Sequence, residues 1–581
     1  MPRFPIPKLE DTLQRYKDVS KALLSDSEFA QVSKSVDAFA QGSGPELQRL
    51  LLELEKEAPY NWMEGFWQSM YLDLRCPMPV NVNPFLILGD DPNIHKNSSQ
   101  VLKAASLVAA ATRFAILART EQIEPEKAGD SLLCMNGYTQ LVGSTRIPLF
   151  GRDKYVVCKT SRHVAVLSHG IPYYLEVLDT QGAPIPEPDL IRQLQSILND
   201  SVTRRFSAES LYPVGVLTTE NRDVWAGVKQ QLGAFSDENS KSLQLIDDAL
   251  FVVCLDDTAP KDMTDFSKIS LYGNARNRYY DKLQIIVTID GQAALNMEHT
   301  GYDGQILARF MLDLYADAIQ SKFNMTSTGL PSPKPLLVRT NASLQGAIDK
   351  ATANWNAFVN VNDLEVLSFT DFGKNKIKNF QIPPDAFFQI AAQIANKRTF
   401  GKVVSTYESS SVRNYQHGRT ETIRPLTIAA RTFVDNFEKT DIPAKKKYEL
   451  LQQAGKAHQT VVKNSKTGLG VDRHLQGLYW TALQKSKRIY QFELPTFFTD
   501  GYYSNYMSNK CSTSNVGGDF QAIKLFGFGA VHEDGVGVGY LVNSDSLVMA
   551  ITSYSNKAKT WKDNMTKALK DLQALCEEAQ R

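Results

Sequence analysis

The chain has 581 residues, of which 43% are hydrophobic and 22% are charged. These are the proportions of a globular protein, and they exclude a disordered or collagen-like chain. The length exceeds that of a single ordinary core, so we expect two or more domains. The 64 Lys and Arg residues balance 63 Asp and Glu residues, for a formal net charge of +1, which argues against a nucleic-acid-binding protein.

The cysteines and the apolar segments indicate an intracellular protein without a membrane span. Six cysteines are scattered, with no CxxC pair and no Cys/His zinc spacing, so we expect reduced thiols and no metal. No stretch reaches the roughly 18 apolar residues of a transmembrane helix. The most apolar segment, residues 104–118, is interrupted by Arg113, and we interpret it as a buried helix.

The first half of the chain changes from helical to strand-like patterns. Residues 46–57 place four leucines on one face at helical spacing, and the first 95 residues are mainly helical in pattern. Short apolar runs then predict strands at 155–158, 163–167, 173–178, 249–255, 283–289 and 293–297. Ser168-His169-Gly170 and Asp290-Gly291 are the turn signals between neighbouring strands.

A proline-rich segment, LPSPKP at residues 330–335, divides the sequence. We predict an N-terminal domain over residues 1–340, with its helical start packed on the other domain, and a C-terminal domain over 341–581. In the second half we predict a strand at 364–369, long helices through 384–410, a hairpin of 524–528 with 536–542, a strand at 547–553 and a helix at 560–578. Alternating strands and helices indicate an α/β fold in both halves.

One histidine stands in a pattern that suits proton transfer. His299 begins HTGYDG, an HxxxDG pattern just beyond the predicted hairpin. A neutral imidazole with a pKa near 6.5 can take a proton from a hydroxyl or a thiol. Asp303 can orient the ring or organise nearby ion pairs, and Gly304 permits a sharp turn. The sequence has no Walker A loop, no GxSxG and no HExxH.

The HxxxDG pattern after a strand resembles the coenzyme A-dependent acyltransferases of the chloramphenicol acetyltransferase kind. Further motifs extend the resemblance along nearly the whole chain to the carnitine/choline acyltransferase family, and most closely to its carnitine acetyltransferase branch. They stand in family order and are PRFPIP (2–7), NW (61–62), LCMN (133–136), NRYYDK (277–282), PDAF (384–387), TYES (406–409), GRTETIR (418–424), DRHL (472–475) and STS (512–514).

The resemblance implies a fold and a reaction. The fold is two chloramphenicol-acetyltransferase-like domains, each a mixed β-sheet flanked by helices, with an active-site tunnel at their interface. The reaction is reversible transfer of a short acyl group between coenzyme A and the 3-hydroxyl of L-carnitine, without a covalent intermediate. Acyl-CoA is then a co-substrate and no cofactor is permanently bound. We expect a monomer in the mitochondrial matrix or the peroxisome, with the cytosol as an alternative.

The resemblance also implies a role for individual residues. His299 is the general base, Ser514 donates to the oxyanion and Asp303 supports His299. The residues implied in carnitine binding are Tyr407, Ser409, Thr420, Arg473 and Phe526. The residues implied in coenzyme A binding are Lys374, Lys378, Asp385, Gln459 and Asn515. Choline enzymes carry Asn at the position of Arg473, so the acceptor predicted here is carnitine.

Three positions depart from the family pattern. Gln459 replaces an arginine that contacts coenzyme A, and Asp303 replaces the Glu of close relatives. Lys524 occupies the position that we associate with acyl chain length, where short-chain members carry Met and longer-chain members carry Gly. A long side chain there predicts a plugged acyl pocket and a short acyl group.

Three other functions remain as alternatives at this point. One is a carnitine acyltransferase for medium-chain groups, and another is an acyltransferase for a different hydroxyl acceptor such as choline. The third is an inactive homologue that only binds acyl-CoA. The intact His299, Ser514 and Arg473 argue against the third.

Overall fold

The computed structural model describes residues 1–92, 99–321, 333–488 and 493–581. Its helices are α1 (Leu9–Leu23), α2 (Asp26–Gln41), α3 (Gly44–Glu57), α4 (Met63–Leu72), α5 (Gln100–Arg119), α6 (Asn136–Thr139), α7 (Glu187–Thr203), α8 (Ala208–Leu211), α9 (Arg222–Phe235), α10 (Asp237–Asp248), α11 (Met263–Leu271), α12 (Gly304–Gln320), α13 (Ala342–Asn360), α14 (Lys374–Asn379), α15 (Pro384–Phe400), α16 (Ile428–Phe437), α17 (Ala444–Lys466), α18 (Asp472–Arg488), α19 (Thr496–Thr499), α20 (Tyr502–Met507) and α21 (Ala558–Ala579).

The strands are β1 (Phe85–Leu88), β2 (Lys127–Ala128), β3 (Ser131–Leu132), β4 (Ser144–Ile147), β5 (Lys154–Val157), β6 (His163–Ser168), β7 (Ile171–Glu176), β8 (Val252–Leu255), β9 (Gln284–Val287), β10 (Ala293–Asn296), β11 (Lys334–Pro335), β12 (Asp363–Phe369), β13 (Thr406–Ser411), β14 (Thr420–Ile423), β15 (Cys511–Asn515), β16 (Ile523–Gly527), β17 (Val536–Val542) and β18 (Leu547–Ser553).

Two large mixed sheets form the framework of the protein. The first has the order β11-β7-β6-β8-β9-β10-β1-β16, and the second has the order β12-β18-β17-β15-β13-β14. In the first sheet β6, β8 and β9 run parallel, and in the second β13, β15 and β17 run parallel. Helices pack against both sheets, so the prediction of an α/β fold built on two mixed sheets is confirmed.

The strands of the predicted hairpin at Asp290-Gly291 pair as expected. Ala293 lies opposite Val287 in the antiparallel ladder, and Gly291 has a positive φ of 83°, which a glycine adopts without strain. The turn at His169 and Gly170 also has positive φ at both residues, which is typical of a two-residue hairpin loop.

Two predicted elements of the second half are wrong. The hairpin of residues 524–528 with 536–542 does not form, because β16 pairs with β1 of the first sheet while β17 lies between β15 and β18 of the second. The helical stretch predicted through residue 410 ends at Phe400, where Gly401 has a φ of 73° and closes the helix. Residues 406–411 then form β13.

The apolar segment near residue 110 forms a core helix. Among the described residues, only α5 is long enough and apolar enough to span a membrane, but most of it is buried inside the protein. Its residues join the core on one face of the first sheet together with α12. The Ser99 hydroxyl accepts a hydrogen bond from the Leu102 amide at 3.4 Å at its start.

The helices before residue 73 pack against the end of the chain. Phe4, Leu51 and Trp62 share a core cluster with Leu475 and Phe497. At the proline-rich segment, residues 330–332 lie outside the described residues, and β11 forms an edge strand directly after them. The domain limits at residues 340 and 341 stay a prediction.

Candidate active site

His299 lies in the loop between β10 and α12, directly after an interior strand of the first sheet. The Glu298 carboxylate beside it is buried and accepts a hydrogen bond from the Thr300 amide at 3.2 Å. Asp303 is the N-cap residue of α12. The loop is therefore held at both ends by secondary structure and in the middle by a hydrogen bond, which fixes the direction of the imidazole.

The surroundings of His299 favour the neutral ring. Burial lowers the pKa of His299 below its usual value, Asp303 opposes the effect and Arg419 adds to it. Nδ1 lies 3.8 Å from Asp303 Oδ1 and 3.5 Å from the Tyr71 hydroxyl, and the Tyr71 ring stacks on the imidazole with 5.3 Å between centroids. These contacts lie on the Nδ1 side of the ring.

Asp303 belongs to an ion pair that braces the loop. Arg419 Nε donates to Asp303 Oδ2 at 2.8 Å, and its NH1 donates to the Thr300 carbonyl at 2.7 Å. Burial alone would raise the pKa of Asp303, but Arg419 holds it below the usual value. The carboxylate is thus ionised and fixed, and it acts on His299 by position and charge.

Two serines stand on adjacent parallel strands facing the same cavity. Ser409 is on β13 and Ser514 is on β15, and their hydroxyl oxygens are 3.0 Å apart. Both line the cavity that also holds His299 and Asp303. A hydroxyl held on a strand by a neighbour is a preorganised hydrogen-bond donor, which is the property that an oxyanion site requires.

Arg473, near the start of α18, is buried beside this cavity with only 4% of its surface exposed. Its Nε donates to the Thr420 carbonyl at 2.8 Å, and NH2 lies 3.3 Å from the hydroxyls of both Tyr407 and Thr420. NH1 donates to Gln476 Oε1 at 2.8 Å. All of these acceptors are uncharged, and within the described part of the chain Arg473 has no ion pair.

The sequence patterns did not reveal the groups that support Arg473 and His299. Trp67 lies on α4 with its ring 4.8 Å from the Arg473 guanidinium, a cation–π contact. Tyr71 lies four residues later on the same helix. The spacing of Trp67 and Tyr71 places them on one helix face, but nothing in the sequence of α4 indicates which distant residues that face meets.

The cavity has a volume of about 280 Å³ and lies between the two sheets. It brings together all eight residues implied in catalysis and carnitine binding, namely His299, Asp303, Tyr407, Ser409, Thr420, Arg473, Ser514 and Phe526. Phe528, which the sequence analysis did not single out, also lines it, and its ring centroid is 5.8 Å from that of Phe526.

Phe526 fills the side of the cavity toward α12. Its ring would lie 3.9 Å from a Cβ added at Gly304, and Val516 would lie 3.7 Å from the same point. Phe526 is 3% exposed and belongs to the apolar core with α5 and α12. A Cβ at Gly304 would therefore be in ordinary van der Waals contact with the ring, which packs against the start of α12.

Lys524, two residues earlier on β16, is placed differently. Its ammonium forms an ion pair with Asp90 Oδ1 at 2.6 Å, and about a third of its side chain is exposed. It is not among the residues that line the cavity around His299. The structure thus gives the Lys524 charge a partner at the protein surface.

The residues implied in coenzyme A binding lie outside this cavity. Lys374 forms an ion pair with Asp519, and Lys378 is exposed on the same short helix α14. Gln459 is exposed on α17. Asn515 directly follows Ser514 on β15.

Asp385 belongs to a buried hydrogen-bond network below the second sheet. The Tyr540 hydroxyl donates to Asp385 Oδ1 at 2.7 Å and also contacts Glu408, while His458 Nε2 lies 3.0 Å from Asp385 Oδ2. Burial raises the pKa of Glu408 well above its usual value, and repulsion from Asp385 adds to the effect. Ligand atoms of Asp385, Glu408 and His458 lie within 4.8 Å of one another, but a metal ion would have to displace these hydrogen bonds.

Comparison with known proteins agrees with this geometry. The model of the choline/carnitine O-acyltransferase family matches residues 4–571. Carnitine O-palmitoyltransferase 2 of Rattus norvegicus mitochondria is 33% identical, over 98% of this chain and 91% of the relative. Carnitine O-acetyltransferase of Columba livia is 32% identical, over 100% of this chain and 94% of the relative. The chain belongs to the choline/carnitine O-acyltransferase family, and it is a coenzyme A-dependent O-acyltransferase.

Proposed function

We propose that the protein transfers a short acyl group, such as acetyl, reversibly between coenzyme A and the 3-hydroxyl of L-carnitine. The observation that favours carnitine as the acceptor is the buried Arg473, whose guanidinium donates only to uncharged groups and forms no ion pair among the described residues, although the carboxyls of Glu421 and Asp472 lie near enough to favour its charge. A buried guanidinium without a carboxylate partner favours an anionic ligand group. The carboxylate of carnitine supplies that group, whereas choline has none.

His299 would act as the general base. Its Nε2 takes the proton of the carnitine hydroxyl, and the hydroxyl oxygen attacks the carbonyl carbon of the thioester. The tetrahedral intermediate then expels the coenzyme A sulfur, and the imidazolium returns its proton to that thiolate. One base serves both nucleophiles, so the reaction runs in either direction without a covalent enzyme intermediate.

Two further groups would act on the tetrahedral intermediate and on the ammonium of carnitine. Ser514, held by Ser409 at 3.0 Å, would donate its hydroxyl to the oxyanion. Loss of such a donor costs about 10²–10³ in turnover, which is the effect we expect for Ser514→Ala. The rings of Phe526 and Phe528 would face the trimethylammonium group, which aromatic surfaces bind well.

The position of Phe526 supports the proposal of a short acyl group. Its buried ring occupies the space between the cavity and Gly304, and a longer alkyl chain would need that space. The curated relatives include both palmitoyl- and acetyltransferases at similar identity. Overall similarity therefore does not distinguish long from short acyl groups, and the proposal of a short group rests on the shape of the pocket.

Coenzyme A would bind outside this cavity, on Lys374, Lys378, Asp385, Gln459 and Asn515. A curated relative carries a mitochondrial name, and we assign this protein to mitochondria on that basis. We also expect it to act as a monomer.

The test is a thiol-release assay with acetyl-CoA and octanoyl-CoA, each with L-carnitine and with choline. We expect the highest kcat/KM for acetyl-CoA with L-carnitine. Faster release with octanoyl-CoA would instead identify a medium-chain carnitine enzyme. Faster release with choline would contradict the role of Arg473, and no release with any pair would identify an inactive binding protein.

A further inference from the structure

A second cavity lies outside the active site. It has a volume of about 750 Å³ and is formed by α1, β14, α16, α17 and the loop before α18. It shares no lining residue with the cavity that contains His299. Its size is within the range of sites that bind small molecules.

Two polar groups at this cavity lack partners. Thr422 on β14 is 2% exposed, and its hydroxyl has no hydrogen-bond partner within the part of the chain that the structure describes. The same holds for Nε of Arg15 on α1, whose NH2 makes only a 3.5 Å contact with the Thr12 hydroxyl. Unsatisfied buried donors cost free energy, and a ligand with an acceptor group in this cavity would satisfy both of them.

Arg15 is the cation at this cavity that forms no ion pair in the described part of the chain, although the carboxyls of Asp11, Glu421 and Asp18 lie near enough to favour its charge. Arg424 also lines the cavity, but it is paired with Asp472 at 2.6 Å. Asp18 lies at the rim, is exposed to solvent and accepts a hydrogen bond from Gln14 at 3.1 Å. Arg15 has no ion pair among the described residues, and a planar guanidinium is suited to bind a carboxylate.

The rest of the wall is largely apolar. Val19, Ile428, Val461 and Leu469 line the cavity, and Ile428 and Leu469 are respectively 43% and 39% exposed although both are large hydrophobic residues. An alkyl chain in the cavity would remove this apolar surface from water. The cavity therefore combines one cation with a surface that favours an alkyl chain.

This site also differs from the proposed coenzyme A site. Ala457 and Val461 on α17 face the cavity and are one helical turn apart. Gln459, between them in sequence, is about half a turn away around the helix axis. The cavity and Gln459 therefore lie on different sides of α17.

We propose that the cavity between α1, β14, α16 and α17 binds a fatty monocarboxylate, with the carboxylate on Arg15 and Thr422 and the alkyl chain along α16 and α17. The inference does not depend on the proposed function, because the cavity lies apart from the catalytic residues.

The experiment is equilibrium dialysis of the full chain against radiolabelled decanoate, with saturating L-carnitine and coenzyme A to occupy the active site. We expect saturable binding of one equivalent. Arg15→Gln and Thr422→Val should each weaken it, by about tenfold or more for Arg15→Gln. Ala457→Trp, which places an indole ring in the cavity, should weaken binding strongly by obstructing the path of the alkyl chain.

Arg49→Gln is the matched control, because Arg49 is an exposed arginine paired with Glu53 on α3. We expect its decanoate affinity to equal that of the wild type. Thermal unfolding of each variant checks that it is folded. Unchanged binding by folded Ala457→Trp, or equal affinity for the neutral analogue decanol, would overturn the proposal.

Discussion

Replacing Arg473 with asparagine tests the choice of acceptor most directly. The change removes the guanidinium and its hydrogen bond to the Thr420 carbonyl, which Arg473 Nε contacts at 2.8 Å, but keeps a polar side chain of smaller volume. The side chain lies against Trp67 and opens onto the cavity, so water can reach the acceptors that lose a partner. We therefore expect the variant to fold.

The magnitude follows from the burial of Arg473. Truncating one partner of a buried, hydrogen-bonded charge pair costs about 2–5 kcal/mol. At about 1.4 kcal/mol for each factor of ten, kcat/KM for L-carnitine should fall roughly 30-fold to several thousand-fold. Choline has no carboxylate and never uses the contact, so its weak rate should be unchanged or higher. Arg473→Lys keeps the charge but loses the planar donor fork, and we expect an intermediate loss.

The assay is initial-rate thiol release at varied L-carnitine, and separately at varied choline, with acetyl-CoA held at saturation. The KM for acetyl-CoA serves as the internal control, because the residues proposed to hold coenzyme A lie outside the cavity. An equal loss with both acceptors would refute the reasoning. In that event Arg473 would stabilise the fold or the coenzyme site, and carnitine would be recognised elsewhere.

Three other predictions concern the base, the pocket and a buried carboxyl. His299→Ala should fold and lose at least about 10²-fold in turnover. Because burial lowers the pKa of His299, the acid limb of the wild-type kcat/KM profile should lie below pH 6.5. Phe526→Ala should raise the ratio of the octanoyl-CoA rate to the acetyl-CoA rate. Lys524→Gly should leave this ratio unchanged, because the Lys524 ammonium is paired with Asp90. The reverse pattern would show that Lys524, and not Phe526, limits the acyl chain length. Burial raises the pKa of Glu421 to about 7, so its ionisation above that pH adds a negative charge near Arg473 and should raise the KM for L-carnitine. Glu421→Gln should remove that pH dependence, and a KM that still rises between pH 6 and 8 would contradict the assignment.

Several features of the fold could be predicted from local sequence. The alternation of apolar residues and the Asp290-Gly291 turn were sufficient for the β9–β10 hairpin, since both signals act between neighbours in the chain. The apolar run around residue 110 was sufficient for the buried helix α5. The error at residues 384–410 arose because an apolar helix can be followed closely by a strand, and the boundary depended on one glycine with positive φ.

The pairing of β16 could not be predicted in this way. Its sequence and that of β17 resemble a hairpin, but the partner of β16 is β1, more than 400 residues earlier. Such a partner is chosen by the packing of the two sheets, and no local pattern records it. The same long-range pairing places Phe526 at the cavity and Lys524 beside Asp90.

The sequence by itself determined which candidate reactive side chains the protein carries: the histidine of HxxxDG, the arginine of DRHL and the serine of STS are recognised from short local motifs. Tertiary structure alone decided how these groups are tuned. Arg473 is buried against Trp67, His299 is stacked on Tyr71 and Asp303 is braced by Arg419, each across a long separation in the chain. Burial and the charges of neighbouring side chains are set by the fold, so the lowered pKa of His299 and the burial of Arg473 arise only in the folded protein.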